Sequence, residues 1–398
     1  MFERITFRQQ NKNNADRPLD VGLLLESMLF YQKTTVISDH AAILKQLVNT
    51  FGFNDLNELL DRGILEIIYS ETMTGIHTET APSGSQFHNP TIFSSLRLTF
   101  PIVVREICIK EAGKEGKGKR NAQRLSRKIT VSNHDPLLAE SAMQLLLDNS
   151  FLKKSVPKLL LGWIPEAKDL RNIQFQTEKV EKGIVVSTNL DFSKVNEFYH
   201  RRISPNHSSI TPAYVLANLY DIEKDLYYAS RNLSEIASSN VTSKLIDLRL
   251  THLANRCAKS NSDKDSFQNL IFCNQKTIRE SYNQGNIDLK EILKAVYNAD
   301  RFKDWLGKHA IDSNLLNEYC REVTKDSIID KLPSKAIRWS VLTGAGVVGD
   351  LLFTPGIGTI SGLSLSVLDG FFLDKLLKGW KPNQFVEEYL FGLIKEET

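Results

Sequence analysis

An α+β fold, predominantly α, is what this sequence of 398 residues predicts. A small N-terminal mixed α/β sheet domain would be followed by a helical domain ending in a glycine-rich antiparallel helical hairpin. Three observations carry that expectation. Short runs with strand periodicity, such as ERITF and TTVIS, concentrate in residues 1–100 and recur only in RNIQFQTEKVEKGIVVSTNLDF. Beyond Asp191 nearly every segment shows helical spacing of its apolar residues. Near the carboxyl end, VLTGAGVVGDLLFTPGIGTISG holds two apolar stretches separated by Thr354-Pro355-Gly356. The expected units are 1–100, 101–190 with a basic loop at 110–128 and a β-hairpin at 172–188, 191–332, and 333–398.

Composition sets the outer limits. Apolar residues make up 41% and charged residues 24%, which suits packed domains and excludes a disordered chain. A net charge of +3 is too balanced to imply nucleic acid by bulk electrostatics, so any such surface must be local. Cys108, Cys257, Cys273 and Cys320 are scattered, which points to neither a disulfide framework nor a zinc site. The polar N-terminus MFERITFRQQNKNNADRP lacks the apolar core of a secretory signal. A cytoplasmic, reducing setting fits, with membrane association left conditional.

The elements follow in order. ERITF reads as a strand, LDVGLLLESMLFY as a helix and TTVIS as a second strand. Asp39 is placed to cap a helix running to about Thr50, and Asn54 to cap another that Gly63 ends. ILEIIYS and MTGIHTE follow as an expected β-pair. His134 to Leu152 reads as one amphipathic helix, and Glu181-Lys182-Gly183 as the turn of a hairpin that could join the N-terminal sheet. Helices are then expected over 211–231, 242–258, 265–282, 289–297, 313–324 and 383–395.

The strongest local charge lies between Lys110 and Lys128, where eight basic residues face two glutamates. Lys114, Lys117, Lys119, Arg120, Arg124, Arg127 and Lys128 form its patch. Gly113 to Lys119 matches the G-x-x-x-x-G-K part of a phosphate-binding loop. The next residue is Arg120, where Mg²⁺ chemistry needs a hydroxyl, so the sequence favours an exposed basic loop. Nucleic acid or an anionic membrane is the partner class such a loop offers.

Tyr199, His200, Arg201, Arg202, Asn206, His207, Ser208 and Ser209 make a polar cluster just ahead of Thr211-Pro212, a good helix start. Cations, hydroxyls and helix N–H groups there suit a phosphate or carboxylate. His207 and Ser209 are the catalytic candidates, with Asp191 or Asp225 as orienting acids, though spacing singles out neither. His77, Glu79 and His88 form a second polar loop, too weak a pattern to assign a metal. No cofactor is indicated.

Gly344, Ala345, Gly346, Val347, Val348 and Gly349 match the dinucleotide-binding pattern G-x-G-x-x-G. Thr354-Pro355-Gly356 interrupts the helix that such a site requires, so Gly344, Gly349, Gly358 and Gly362 are better read as contact points between two close helices. Asp350, Asp369 and Asp374 punctuate the pair, and its uncharged runs are short for a bilayer span.

Two segments, YHRRISPNHSSITPAYVLANL and KLPSKAIRWSVLTGAGVVGDLL with its continuation to LDKLLKGWKPNQF, together with GLLLESMLFYQKTTVI, resemble a set of large uncharacterised bacterial proteins. That resemblance implies a bacterial setting and transfers no activity. The expectation is therefore a non-enzymatic interaction protein, in the setting of a stress or antiphage effector, using the site at 199–209 and the hairpin for packing, oligomerisation or conditional membrane contact. An enzyme acting on a phosphorylated or nucleotide-like ligand through His207, and nucleic-acid binding through 110–128, are the alternatives.

Overall fold

The computed structural model describes residues 3–9, 17–94, 99–164, 172–202, 208–238, 240–257, 269–270, 282–285, 287–306, 338–342, 372 and 384–388. Its frame is a mixed α/β arrangement built on two sheets.

The first sheet starts from β1 (Arg4–Phe7), β2 (Lys33–Ser38), β3 (Leu65–Ser70) and β6 (Thr130–Ser132), each paired in parallel with the one before it in this series. Helices α1 (Val21–Phe30) and α2 (Ala41–Asp61) make the first two crossovers. Asp20 starts α1 by accepting a bond from Leu23 N–H at 2.9 Å. Two helices are expected across 40–62, and α2 holds two helical segments that meet at a kink at Gly52, whose φ of 66° favours glycine. Gly63, at φ 70°, ends it as the sequence suggests.

β9 (Glu235–Ser238) pairs in parallel with the other side of β1. The chain thus steps outward from β1 through β2, β3 and β6, then returns to lie on the opposite flank. This reversal of strand order is the mark of a doubly wound sheet. It also takes the sheet beyond the first hundred residues. β12 (Gln384–Glu388), β11 (Arg338–Leu342) and β10 (Asn269–Leu270) continue it past β9.

Burial on both faces explains the apolar strands. Ile5, Phe7, Val36 and Ile67 pack with α1, α2, α3 (Phe100–Ala112) and the late helix α10 (Leu289–Leu306). Ile37 faces the other way, into a second core built from α5 (Leu137–Leu146), α6 (Asn149–Trp163), α8 (Pro212–Asn232) and α9 (Asn240–Cys257).

The second sheet is antiparallel: β4 (Thr72–Thr80), β5 (Gln86–Ser94), β8 (Gly183–Thr188) and β7 (Phe175–Val180). Two expectations change here. ILEIIYS and MTGIHTE do not pair with each other; the first is β3 and the second turns away to begin this sheet with β5. The hairpin at Glu181-Lys182-Gly183 forms, with Gly183 at φ 138°, and does join strands of the first hundred residues through β5, but these make a sheet separate from that of β1. Asn89 Nδ2 fixes that junction by donating to the Lys182 carbonyl at 2.8 Å.

The single helix expected from His134 to Leu152 is broken at Asp148, whose carboxylate accepts from Ser150 and Phe151 N–H to start α6. A local cap outcompetes continuous apolar periodicity. The basic loop is likewise a helix, α4 (Glu115–Ser126), following α3 across left-handed Gly113. Since IVVREICIK is helical and not a strand, the strand–loop–helix context of a phosphate-binding loop is absent. Gly344, Gly349, Gly358 and Gly362 lie outside the described residues, as do nearly all of 265–281 and all of 313–324. Over Gln384–Glu388 a strand replaces the expected final helix. Among the described residues no helix is long and apolar enough to cross a membrane.

Candidate functional site

In doubly wound sheets the carboxyl ends of the parallel strands, next to the reversal of strand order, form the usual ligand crevice. Here that edge gathers charge. Arg8 directly follows β1, Asp39 directly follows β2, Ser70 closes β3, and His134 lies two residues beyond β6. Helix α8 lays Tyr220, Asp221, Lys224, Asp225 and Tyr228 against the same edge.

Arg8 is the hub. Its Nη2 lies 2.9 Å from Asp39 Oδ2 and 3.5 Å from Asp221 Oδ1, and its Nη1 lies 2.5 Å from Asp225 Oδ1. Lys224 Nζ pairs with Asp221 at 2.5 Å and approaches Asp39 at 3.9 Å. Only 8% of Arg8, 6% of Asp39 and 6% of Lys224 is exposed, so these ions depend on one another for solvation. Burial opposes the charged form of Asp39, yet Arg8 and Lys224 hold its carboxyl down at about 2. Arg8 is driven up by Asp225, Asp39 and Asp221 in spite of its burial. Lys224 goes down, because burial and the Arg8 charge outweigh its acidic partners.

His134 completes the edge. Its Nδ1 is 2.8 Å from Ser70 Oγ and 2.9 Å from Thr72 Oγ1, and its backbone N–H donates to Thr72 Oγ1 at 2.8 Å. Burial, with Lys224 and Arg8 nearby, pushes the imidazole down to about 4, so it is neutral at neutral pH. The ring meets Tyr228 edge-on at 5.8 Å.

Among the described residues, five buried atoms around this hub have no hydrogen-bond partner: Arg8 Nε, Asp39 Oδ1, His134 Nε2, Tyr220 OH and Tyr228 OH. Burial without a partner costs about 1–3 kcal/mol for each neutral group. Among the described residues, buried atoms such as Ser27 Oγ, Thr34 Oγ1 and Tyr297 OH also lack a hydrogen-bond partner, while other long-range buried polar groups find one. Tyr31 OH donates to Glu235, Thr6 Oγ1 bonds Ser234 Oγ at 2.6 Å, and Arg249 Nε reaches Glu223 at 2.5 Å. The unsatisfied donors and acceptors around Arg8 thus gather at one end of the first sheet, the kind of buried group that calls for a polar partner.

The residues singled out in the sequence are placed differently. Tyr199 is buried in α7 (Phe192–Arg202), and Arg201 is paired with Glu197 and stacked over Phe198. Arg202, Ser208 and Ser209 are exposed, and the His200 ring lies against that of Tyr199 at 5.8 Å. Asn206 and His207 lie outside the described residues. Thr211 does cap α8, accepting from Tyr214 N–H at 3.2 Å. Of the two acids considered as orienting partners, Asp225 is engaged by Arg8, while Asp191 accepts from Ser193 N–H at the start of α7.

His77 and Glu79 share an exposed face of β4 at 3.5 Å, while His88 is buried opposite Thr78 and bonded to its hydroxyl at 2.9 Å. No group of three metal-ligating side chains forms among the described residues. The basic patch is presented by α4 and its ends, with Lys114, Lys117, Lys119, Arg120, Arg124 and Arg127 exposed and Lys128 tied to Asp61 at 2.7 Å.

Sequence reasoning missed the Arg8 cluster. Its signal was present as a charged residue directly after each of the first two strands, a position that gains meaning only once the strands are known to be parallel neighbours. Comparison with protein-family models, with curated proteins and with solved structures finds no match to this chain.

Proposed function

We propose that the protein binds a small polar ligand over the carboxyl ends of β1, β2, β3 and β6, and that Arg8 Nε, Asp39 Oδ1, His134 Nε2, Tyr220 OH and Tyr228 OH are the groups that meet it. The observation that supports this most is the convergence of these five unpartnered buried atoms beside the reversal of strand order.

Charge narrows the ligand class. Among the described residues of the cluster, three carboxylates (Asp39, Asp221, Asp225) face two cations (Arg8, Lys224), and His134 adds no charge. A phosphate would meet net repulsion. Hydroxyl or amine groups suit the set, since two phenols both donate and accept, a carboxylate oxygen accepts and a guanidinium N–H donates. The reading is therefore of a sugar-like, nucleoside-like or amine-bearing ligand.

Thermal unfolding in the presence of free sugars, nucleosides, polyamines and inorganic phosphate tests it. A hydroxyl- or amine-bearing compound should raise the midpoint in proportion to its occupancy, and Tyr228→Phe should lose that shift. Stabilisation by phosphate alone would contradict the reading.

A further inference from the structure

A second surface stands apart from the Arg8 cluster. Lys117, Arg120, Arg124 and Arg127 follow one another at intervals of three, four and three residues on α4 and its carboxyl cap. That interval keeps side chains on one face of a helix. All four are exposed, as is Lys114 one turn earlier, while Gly118, Ala122 and Leu125 face the protein. The buried side is tightly seated: a Cβ on Gly118 would lie 2.4 Å from the Ile109 Cα of α3, so the stripe sits on a fixed support.

Two neighbouring acids are engaged elsewhere. Glu115 pairs with Lys119 at 2.5 Å and lies 3.7 Å from Arg105, and Asp61 holds Lys128 at 2.7 Å. Among the described residues, Lys117, Arg120, Arg124 and Arg127 have no ion pair at all. Four like charges over about 15 Å of helix repel one another, a cost that a facing row of anions removes.

The chemistry of the face selects among polyanions. Between these cations the side chains left outside the core are Lys119, Asn121, Gln123 and Ser126, so the stripe has neither the apolar side chains that anchor a helix in a lipid surface nor the aromatics that stack unpaired bases. It lacks the buried aromatic anchors of a protein hot spot as well. Three of the four cations are arginines, whose fork matches phosphate oxygens. We infer that the exposed face of α4 binds the phosphate backbone of duplex nucleic acid without reading its sequence. Lys128 ties the end of α4 to Asp61, just before β3, which puts this end of the stripe toward the amino edge of the sheet, away from Arg8.

Fluorescence anisotropy with labelled 20-base-pair DNA and RNA duplexes of unrelated sequence, over a series of salt concentrations, tests the inference. Four phosphate contacts give a log–log salt slope of about −3.6 on DNA, equal across sequences. Arg120→Gln/Arg124→Gln should weaken binding at least roughly tenfold and reduce the slope by about 2. Lys117→Gln/Arg127→Gln should do the same, so a folding fault in one pair does not decide the result. Absence of salt-dependent binding, an unchanged slope in both variants, or binding confined to phosphatidylserine vesicles would overturn it.

Discussion

Arg8 and Asp39, 31 positions apart in the chain, meet at 2.9 Å because β1 and β2 are parallel neighbours and each places its next residue at the same edge of the sheet. The pair is buried and shared with Asp221, Lys224 and Asp225 of α8. One guanidinium thus links two strand ends to the helix that leads into β9.

Removing that guanidinium strands carboxylates in a buried setting. Arg8→Met should destabilise the fold by about 3–5 kcal/mol, the usual cost of breaking a buried ion pair from one side. Arg8→Lys should recover only part of this, since one ammonium cannot serve Asp39 and Asp225 together through a fork. Urea unfolding of the two variants beside the parent measures both effects.

His134 gives the fold a dependence on pH. Its folded-state value of about 4 lies below the unfolded value of 6.5, so the unfolded chain binds the proton first as pH falls. Stability from this group is complete above 6.5 and is lost between 6.5 and 4, to a limit on the order of 3 kcal/mol. Asp39, held down at about 2, loses its contribution only below the ordinary carboxylate range. Buried His88 acts in the same direction as His134, so the parent alone does not separate them. Unfolding free energies from pH 4 to 7 should show a shallower slope in His134→Asn, which keeps a polar group toward Ser70 and Thr72.

At Gly118 packing tolerates no side chain. Gly118→Ala places a methyl against the Ile109 backbone and should cost about 1–3 kcal/mol through separation of α3 and α4. Gly116→Ala, with open space around its Cβ, should be neutral or slightly stabilising. Thermal melts of the two variants, read by far-UV circular dichroism, make the comparison.

Local structure was legible where one element decides it. The β7–β8 turn at Gly183, the cap of α8 at Thr211 and the end of α2 at Gly63 all follow from residue chemistry within a few positions. Partnering between strands was not legible. ILEIIYS and MTGIHTE look like neighbours by alternation, yet Glu71 separates two sheets, its carboxylate accepting from Phe100 N–H at 2.7 Å. Asp39 shows the same limit for the site: local pattern assigns it as a helix cap, whereas His40 takes the N-cap position of α2 without a side-chain bond and Asp39 turns to Arg8. The sequence shows the charge, and only the strand order shows what it faces.

The most direct test of the ligand-site account is the melting temperature of Tyr220→Phe/Tyr228→Phe without ligand. Both hydroxyls are buried and unpartnered among the described residues, so their removal should leave the midpoint unchanged or raise it by about 2–4 °C while abolishing the shift produced by a hydroxyl- or amine-bearing ligand. A midpoint several degrees below the parent, with the ligand shift intact, would show that the hydroxyls serve the fold and would contradict the account.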